Sequence, residues 1–161
     1  MIALIPKTRH AVIQIAWWQI GITENPSGSN KVKYNTDFYG KVVSGPAYPW
    51  CMAFVWWVFR EAGFKLFKTA SCSTFVNQYK KAAPQQIVRM NYAPGDIVFF
   101  DFSGKREKTE HVGIVESVQG DTVFTIEGNT GSGNDANGGS VMRRTRNVRQ
   151  ITLAVRPNYP D

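Results

Sequence analysis

Between residues 51 and 63 the chain reads CMAFVWWVFREAG, and Phe54 to Phe59 leave no polar position at any helical spacing. A helix with that pattern has no face to give to water, so the fold must cover it on nearly all sides. Pro49 cannot continue the helix backwards, and Gly63 suits the residue just past its end, which sets it at about Cys51–Ala62. Whatever the chain folds into is built around this element, and one of its two cysteines stands at the start of it.

The rest of the first half is also helical in pattern. Thr8 can cap a helix running to about Ile22 with Val12, Ile15, Ala16 and Ile20 on one face. NPSGSN breaks it, and residues 31–50 read as a long irregular connection, ordered by Tyr34, Phe38, Tyr39, Tyr48 and Trp50. Ser71 or Ser73 caps a further helix that ends before Pro84. From residue 92 the pattern changes to strands: YAPGDIVFFDF, HVGIVESV, TVFTIEG, VMRRTRN and QITLAVR, with charged or glycine-rich loops between. Helices first and antiparallel strands after make an α+β domain, and 161 residues with 43% hydrophobic and 19% charged content fit one globular unit covering 1–161. No apolar run reaches membrane-spanning length.

Cys51 admits two readings. Free cysteine is among the most buried residue types, so it can be a small inert hydrophobe. A thiol at a helix N-terminus instead sits among unpaired N–H groups at the positive end of the macrodipole, which favours the thiolate. A nucleophile needs a base, and there are two histidines. His10 falls in the first turn of the N-terminal helix, where a surface role is the default; His111 opens a strand after a charged loop. If the hairpin loop has three residues, Gln119 to Asp121, then His111 lies opposite Asn129 and Gly113 opposite Glu127, all on one face. Val112, Ile114, Phe124 and Ile126 then form the apolar face. Glu127 or Asn129 would fix the imidazole tautomer, and Gly113 would leave room beside it.

PWCMAFVWWVFREAGF, YAPGDIVFFDF, EHVGIVESV and TIEGN, in this order, resemble the CHAP family of cysteine, histidine-dependent amidohydrolases and peptidases. The likeness runs from about residue 8 to 157, and GSNKVKYNTDFYG is similar to the segment that precedes the cysteine in phage and Firmicute members. The resemblance implies a papain-like α+β fold that cleaves an amide bond of peptidoglycan, as an N-acetylmuramoyl-L-alanine amidase or as a stem-peptide or cross-bridge endopeptidase. It implies Cys51 as nucleophile, His111 as general base, Glu127 as the residue orienting His111, and Asn129 as a support of the imidazole. The N–H of Cys51 is the expected oxyanion donor. An NlpC-type peptidase would share the chemistry but usually pairs its cysteine with two histidines or another polar third residue. A binding module that keeps the fold and uses its charge is the reading from a different class.

Tyr48, Trp50 and Tyr39 are candidates for lining a groove for glycan or stem peptide, and the alternative is that they pin the loop to the core. Cys72, in TASCSTF, is read as structural. Zinc is not expected, since His10, Cys51, Cys72 and His111 lack the short paired spacings of its sites. Some family members bind calcium through paired aspartates before the cysteine; here Asp37 is the one carboxylate between Glu24 and Glu61, so it is the only candidate there and no cofactor is expected. Asn134, Asp135 and Asn137 are a weaker set, of a kind common in turns.

The net charge of +7 is densest in RRTRNVR, residues 143–149. It is either a solvated strand face or a means of attraction to polyanions. Without a nucleic-acid-binding signature no nucleic acid is expected; the implied partners are Gram-positive peptidoglycan and its anionic wall polymers, met by a monomer. MIALIPKTRH lacks the order of a signal peptide, so the expectation is synthesis in the cytoplasm and action on the wall after release, or a domain of a longer secreted or phage protein.

Overall fold

The computed structural model describes residues 7–161. Residues 1–6, part of the segment read for a leader, lie outside them. Four helices come first, α1 (Arg9–Trp18), α2 (Lys33–Tyr39), α3 (Cys51–Glu61) and α4 (Cys72–Ala82). Six strands follow, β1 (Ile87–Val88), β2 (Ile97–Phe100), β3 (His111–Gln119), β4 (Thr122–Thr130), β5 (Ser140–Asn147) and β6 (Ile151–Val155). They form one antiparallel sheet in the order β1-β6-β2-β3-β4-β5. This is the helices-then-sheet α+β arrangement that the sequence pattern implies. No helix among the described residues is long and apolar enough to cross a membrane.

The helices pack on one face of the sheet, against Ile97, Phe99, Val112, Ile114, Ile126, Leu153 and Val155. The alternate residues Val98, Phe100, Val115, Val123, Ile151 and Ala154 build a second apolar cluster on the reverse face. Strands buried on both sides explain the near-continuous apolar runs in β2 and β6. In α3, Cys51 to Val55 and Trp57 to Phe59 are all buried, as an all-apolar helix requires. It lies directly on β4: a Cβ on Gly128 would stand 2.5 Å from the Cβ of Phe54. That close approach fixes the helix, and with it Cys51, against the strand that carries Glu127.

Three local expectations are corrected. The first helix stops at Trp18, because Gly21 and Ile22 leave it to pair with Val141 on the edge strand β5. Ile20 is therefore exposed and not part of the buried face. The connection over 31–50 contains a helix, α2, which places Tyr34 and Asn35 in the interior and ends at Gly40 in the left-handed region. The β3–β4 loop has two residues, since Gln119 pairs with Thr122. The register still returns to the expected one, because a bulge at Glu116 adds one residue to β3 before Ile114 meets Ile126.

Candidate active site

Cys51 is the first residue of α3, and that helix start is uncompensated by any other anion. Trp50, the N-cap, gives the helix no side-chain capping bond, and the first turn has no acidic residue. The sulfur is thus the group that meets the free N–H ends and the positive dipole, and it receives the Met52 N–H. Trp50 anchors this corner: its indole stacks on Tyr34 at 5.5 Å and its Nε1 donates to Glu24 at 3.0 Å. Glu24 in turn accepts the N–H groups of Gly28 and Asn30, which ties the preceding loop to the helix start.

His111 is delivered by a loop organised around a buried carboxylate. Asp101 accepts the Ser103 hydroxyl at 2.6 Å and the N–H groups of Glu107, Lys108 and Ser103, which together hold its carboxyl below the usual carboxylate range. The Glu110 N–H then donates to Phe100 O, and β3 begins. The His111 ring is fully buried, flanked by Phe100 and Phe102 with centroids at 6.0 Å each. Its Nε2 lies 2.8 Å from Glu127 Oε1. Its Nδ1 has no hydrogen-bond partner, and Cys51 is the neighbouring group that, with Glu127, favours the charged ring. Gly113 makes room for the Glu127 side chain itself, whose Cγ would be 2.7 Å from a Cβ there.

Glu127 is held from three further directions. Thr125 Oγ1 donates to its Oε2 at 2.5 Å, and Arg146 donates twice, Nε to Oε2 at 2.9 Å and Nη2 to Oε1 at 2.7 Å. Arg146 is itself buried, stacks its guanidinium over Phe102 at 4.8 Å, and gives Nη1 to Asp135 at 2.8 Å. Nothing in the sequence reading separated Arg146 from its neighbours in RRTRNVR. The available signal was alternation: Arg144 and Arg146 share one face of β5, across from Thr125 and Val123 and beside Glu127.

The electrostatics follow from these contacts. A hydrogen bond from Cys72 is the largest influence holding the Cys51 thiol well below its ordinary pKa; burial opposes it, and His111 adds to it. Burial disfavours the His111 imidazolium, yet Cys51 and Glu127 outweigh it and lift the ring to about 9. Burial likewise works against the Glu127 carboxylate, but His111 and Arg146 bring it down to about 2. These influences all favour the charged forms: thiolate on Cys51, imidazolium on His111 and carboxylate on Glu127.

The other predicted residues fall elsewhere. Asn129 does not reach the imidazole. It sits at φ 57° beside a register shift in β4, accepts the Gly139 N–H at 3.1 Å and donates to Asn137 at 3.2 Å, so it braces the 131–139 loop. Trp50 lines no groove, because it is fully buried. Tyr39 and Tyr48 are half-buried and packed edge to face at 5.0 Å. Asp37 is engaged by Trp57 Nε1 and Arg60 Nη2, each at 2.8 Å, which leaves its Oδ2 occupied by donors. Asp135 is similarly taken by Arg144 and Arg146. Among the described residues no three His, Cys, Asp or Glu side chains cluster in a way that could hold a metal ion. His10 is exposed at the start of α1. Cys72, read as structural, is in contact with Cys51.

The family model of the CHAP domain matches residues 43–129, more than half of the chain, and takes in Cys51, His111 and Glu127. The chain belongs to the CHAP domain family. Comparison with curated protein sequences gives no match. Among solved structures, this CHAP domain is similar to the wild-type endolysin LysIME-EF1, with a TM-score of 0.61 and 13% identity over 95% of this chain and 65% of that one. It is also similar to Ly7917, with a TM-score of 0.54 and 18% identity over 93% of this chain and 62% of that one. A second Ly7917 structure, with the hydrolyzing product of MDP, gives 0.52 and 18% over 93% and 63%. At these identities the likeness is one of fold, and the chain spans less than two thirds of the length of each of these proteins.

Proposed function

We propose that this CHAP domain is a peptidoglycan hydrolase that cleaves an amide bond with Cys51 as nucleophile, His111 as acid and base, and Glu127 as the residue orienting His111. The observation that carries the reading is a buried His111, held by Glu127 and through it by Arg146, next to a Cys51 that opens α3 with no acidic residue in its first turn. Membership of the CHAP family and the endolysin neighbours support the substrate class.

In this mechanism the Cys51 thiolate attacks the carbonyl carbon, and the new oxyanion meets the Cys51 N–H. The imidazolium gives its Nδ1 proton to the departing amine as the C–N bond breaks, leaving a thioester on Cys51. Neutral His111 then takes a proton from water as the hydroxide oxygen attacks the thioester. Collapse releases the carboxylic acid, and thiolate and imidazolium are restored. Glu127 keeps Nε2–H directed to itself, so the lone pair of the neutral ring is on Nδ1, the nitrogen left free for the reaction.

Cys51→Ala is expected to abolish turbidity loss of Gram-positive cell walls with an unchanged circular dichroism spectrum; undiminished lysis would remove Cys51 from the mechanism. Mass spectrometry of the digested wall identifies the bond, because the new amino terminus distinguishes amidase from endopeptidase. The basic surface supplies attraction to anionic wall polymers, and binding should weaken as salt rises.

A further inference from the structure

Two helix starts converge on one pair of sulfurs. Cys51 opens α3 and Cys72 opens α4, both are buried and free, and their sulfurs lie 4.0 Å apart. Both benefit from a helix N-terminus, but two thiolates at that separation repel, so the pair holds one negative charge over the neutral range. The site decides which sulfur carries it. Cys51 has the imidazolium of His111 and the Met52 N–H, whereas no cationic group stands beside Cys72 among the described residues. The remaining proton therefore stays on Cys72, where the hydrogen bond to Cys51, then burial and the neighbouring negative charge, resist its loss.

We propose that Cys72 is a positioning residue for Cys51, its neutral S–H donating to the Cys51 sulfur across their 4.0 Å contact. This rests on the reading of Cys51 as the nucleophile. It gives the thiolate a donor that leaves neither with the imidazole proton nor with the substrate, so the charge on sulfur is supported both before attack and again when hydrolysis of the thioester releases it. It also turns the sulfur through a second fixed contact, with α4 acting as the support. Ser71 secures that support by capping α4, accepting the Thr74 N–H at 3.2 Å.

The test is the pH profile of Cys51 alkylation by iodoacetamide, read by peptide mapping so that Cys51 and Cys72 are counted separately. Cys72→Ala removes the donor, and on the acid limb of the profile the rate at Cys51 is expected to fall about tenfold, the size of one hydrogen bond to a charge. Cys72→Val fills the space without a donor and should shift the profile in the same direction. Cys72→Ser restores an O–H and should return most of the rate. A packing role would instead rank valine above serine, and that order, or an alanine profile superimposed on the wild type, overturns the proposal. Serine and valine keep the test open where alanine does not fold. Alkylation needs no wall substrate, so a wild type that alkylates in this pattern yet lyses nothing would count against the proposed activity and leave the role of Cys72 standing.

Discussion

Arg146→Met removes the cation from Glu127 while keeping much of the side chain's length. The two side chains are 4% and 0% exposed and joined by hydrogen bonds of 2.9 and 2.7 Å. Deleting one partner of a buried pair leaves the other charge desolvated and costs about 3–5 kcal/mol. The titration of Glu127 gives a similar size. Against the upward push of burial, His111 and Arg146 hold its carboxyl at about 2 where the ordinary value is 4.5. At about 1.4 kcal/mol per pH unit that is roughly 3 kcal/mol net of the burial penalty, which the two cations together more than offset. Because the folded pKa is depressed, this stabilisation is present above 4.5 and is lost as pH falls towards 2. In urea unfolding at neutral pH the variant should therefore lose about 3 kcal/mol, and the gap from the wild type should narrow across that acid window. Arg143→Met is the control. Its pair with Glu116 is 47% and 23% exposed, and it should cost less than about 1 kcal/mol. Equal losses in the two variants, or a gap that does not change between pH 4.5 and 2, would refute the assignment of Arg146 as the anchor of Glu127.

Gly113→Ala would bring a Cβ to 2.7 Å from Glu127 Cγ and 3.4 Å from Phe100; it should cost about 1–3 kcal/mol and slow Cys51 alkylation by displacing the carboxylate from His111, and a variant with wild-type melting and alkylation would contradict this. The His111 ring, raised to about 9 by Cys51 and Glu127 in spite of burial, contributes stability that is complete below 6.5 and lost as pH rises through about 9. Urea unfolding at successive pH values should show that decline, and Glu127→Gln should move it to lower pH; an unmoved decline would exclude Glu127 as its cause. Trp50→Phe deletes the 3.0 Å bond to Glu24 and should cost about 2 kcal/mol with KM for cell wall unchanged. A raised KM at unchanged stability would return Trp50 to the substrate groove.

The elements most legible in the sequence were those set by patterns without competitors. An apolar run bounded by Pro49 and Gly63 has one helical solution, and the helix occupies Cys51–Glu61. What was hidden was decided between segments. The first helix loses its last turn to the β5 edge, a contact with a residue more than a hundred positions away. Asn129 was placed with His111 by strand parity, but a left-handed residue at a register shift breaks parity at that point. The two-residue turn and the bulge at Glu116 each change the register by one and cancel, so the pairing near His111 follows from a loop length that does not occur.

Arg146 and Cys72 escaped for a related reason. Each looks ordinary in its own segment, one a basic strand residue and the other a small buried hydrophobe. They become distinctive only when a third element is set between them. Glu127 is shared between Arg146 and His111, and Cys51 between His111 and Cys72. From Asp135 inward the charges then alternate: carboxylate, guanidinium, carboxylate, imidazolium, thiolate. Only the Asp135 end is substantially exposed, with 43% of its side chain open to solvent. Each buried charge has a neighbour of opposite sign, so none faces the full desolvation cost alone. The series ends on the sulfur, where the helix start and a neutral S–H supply what a further cation would otherwise have to. A cation there would lower the sulfur's nucleophilicity further and pair too firmly with it, whereas a weak donor leaves the thiolate able to attack.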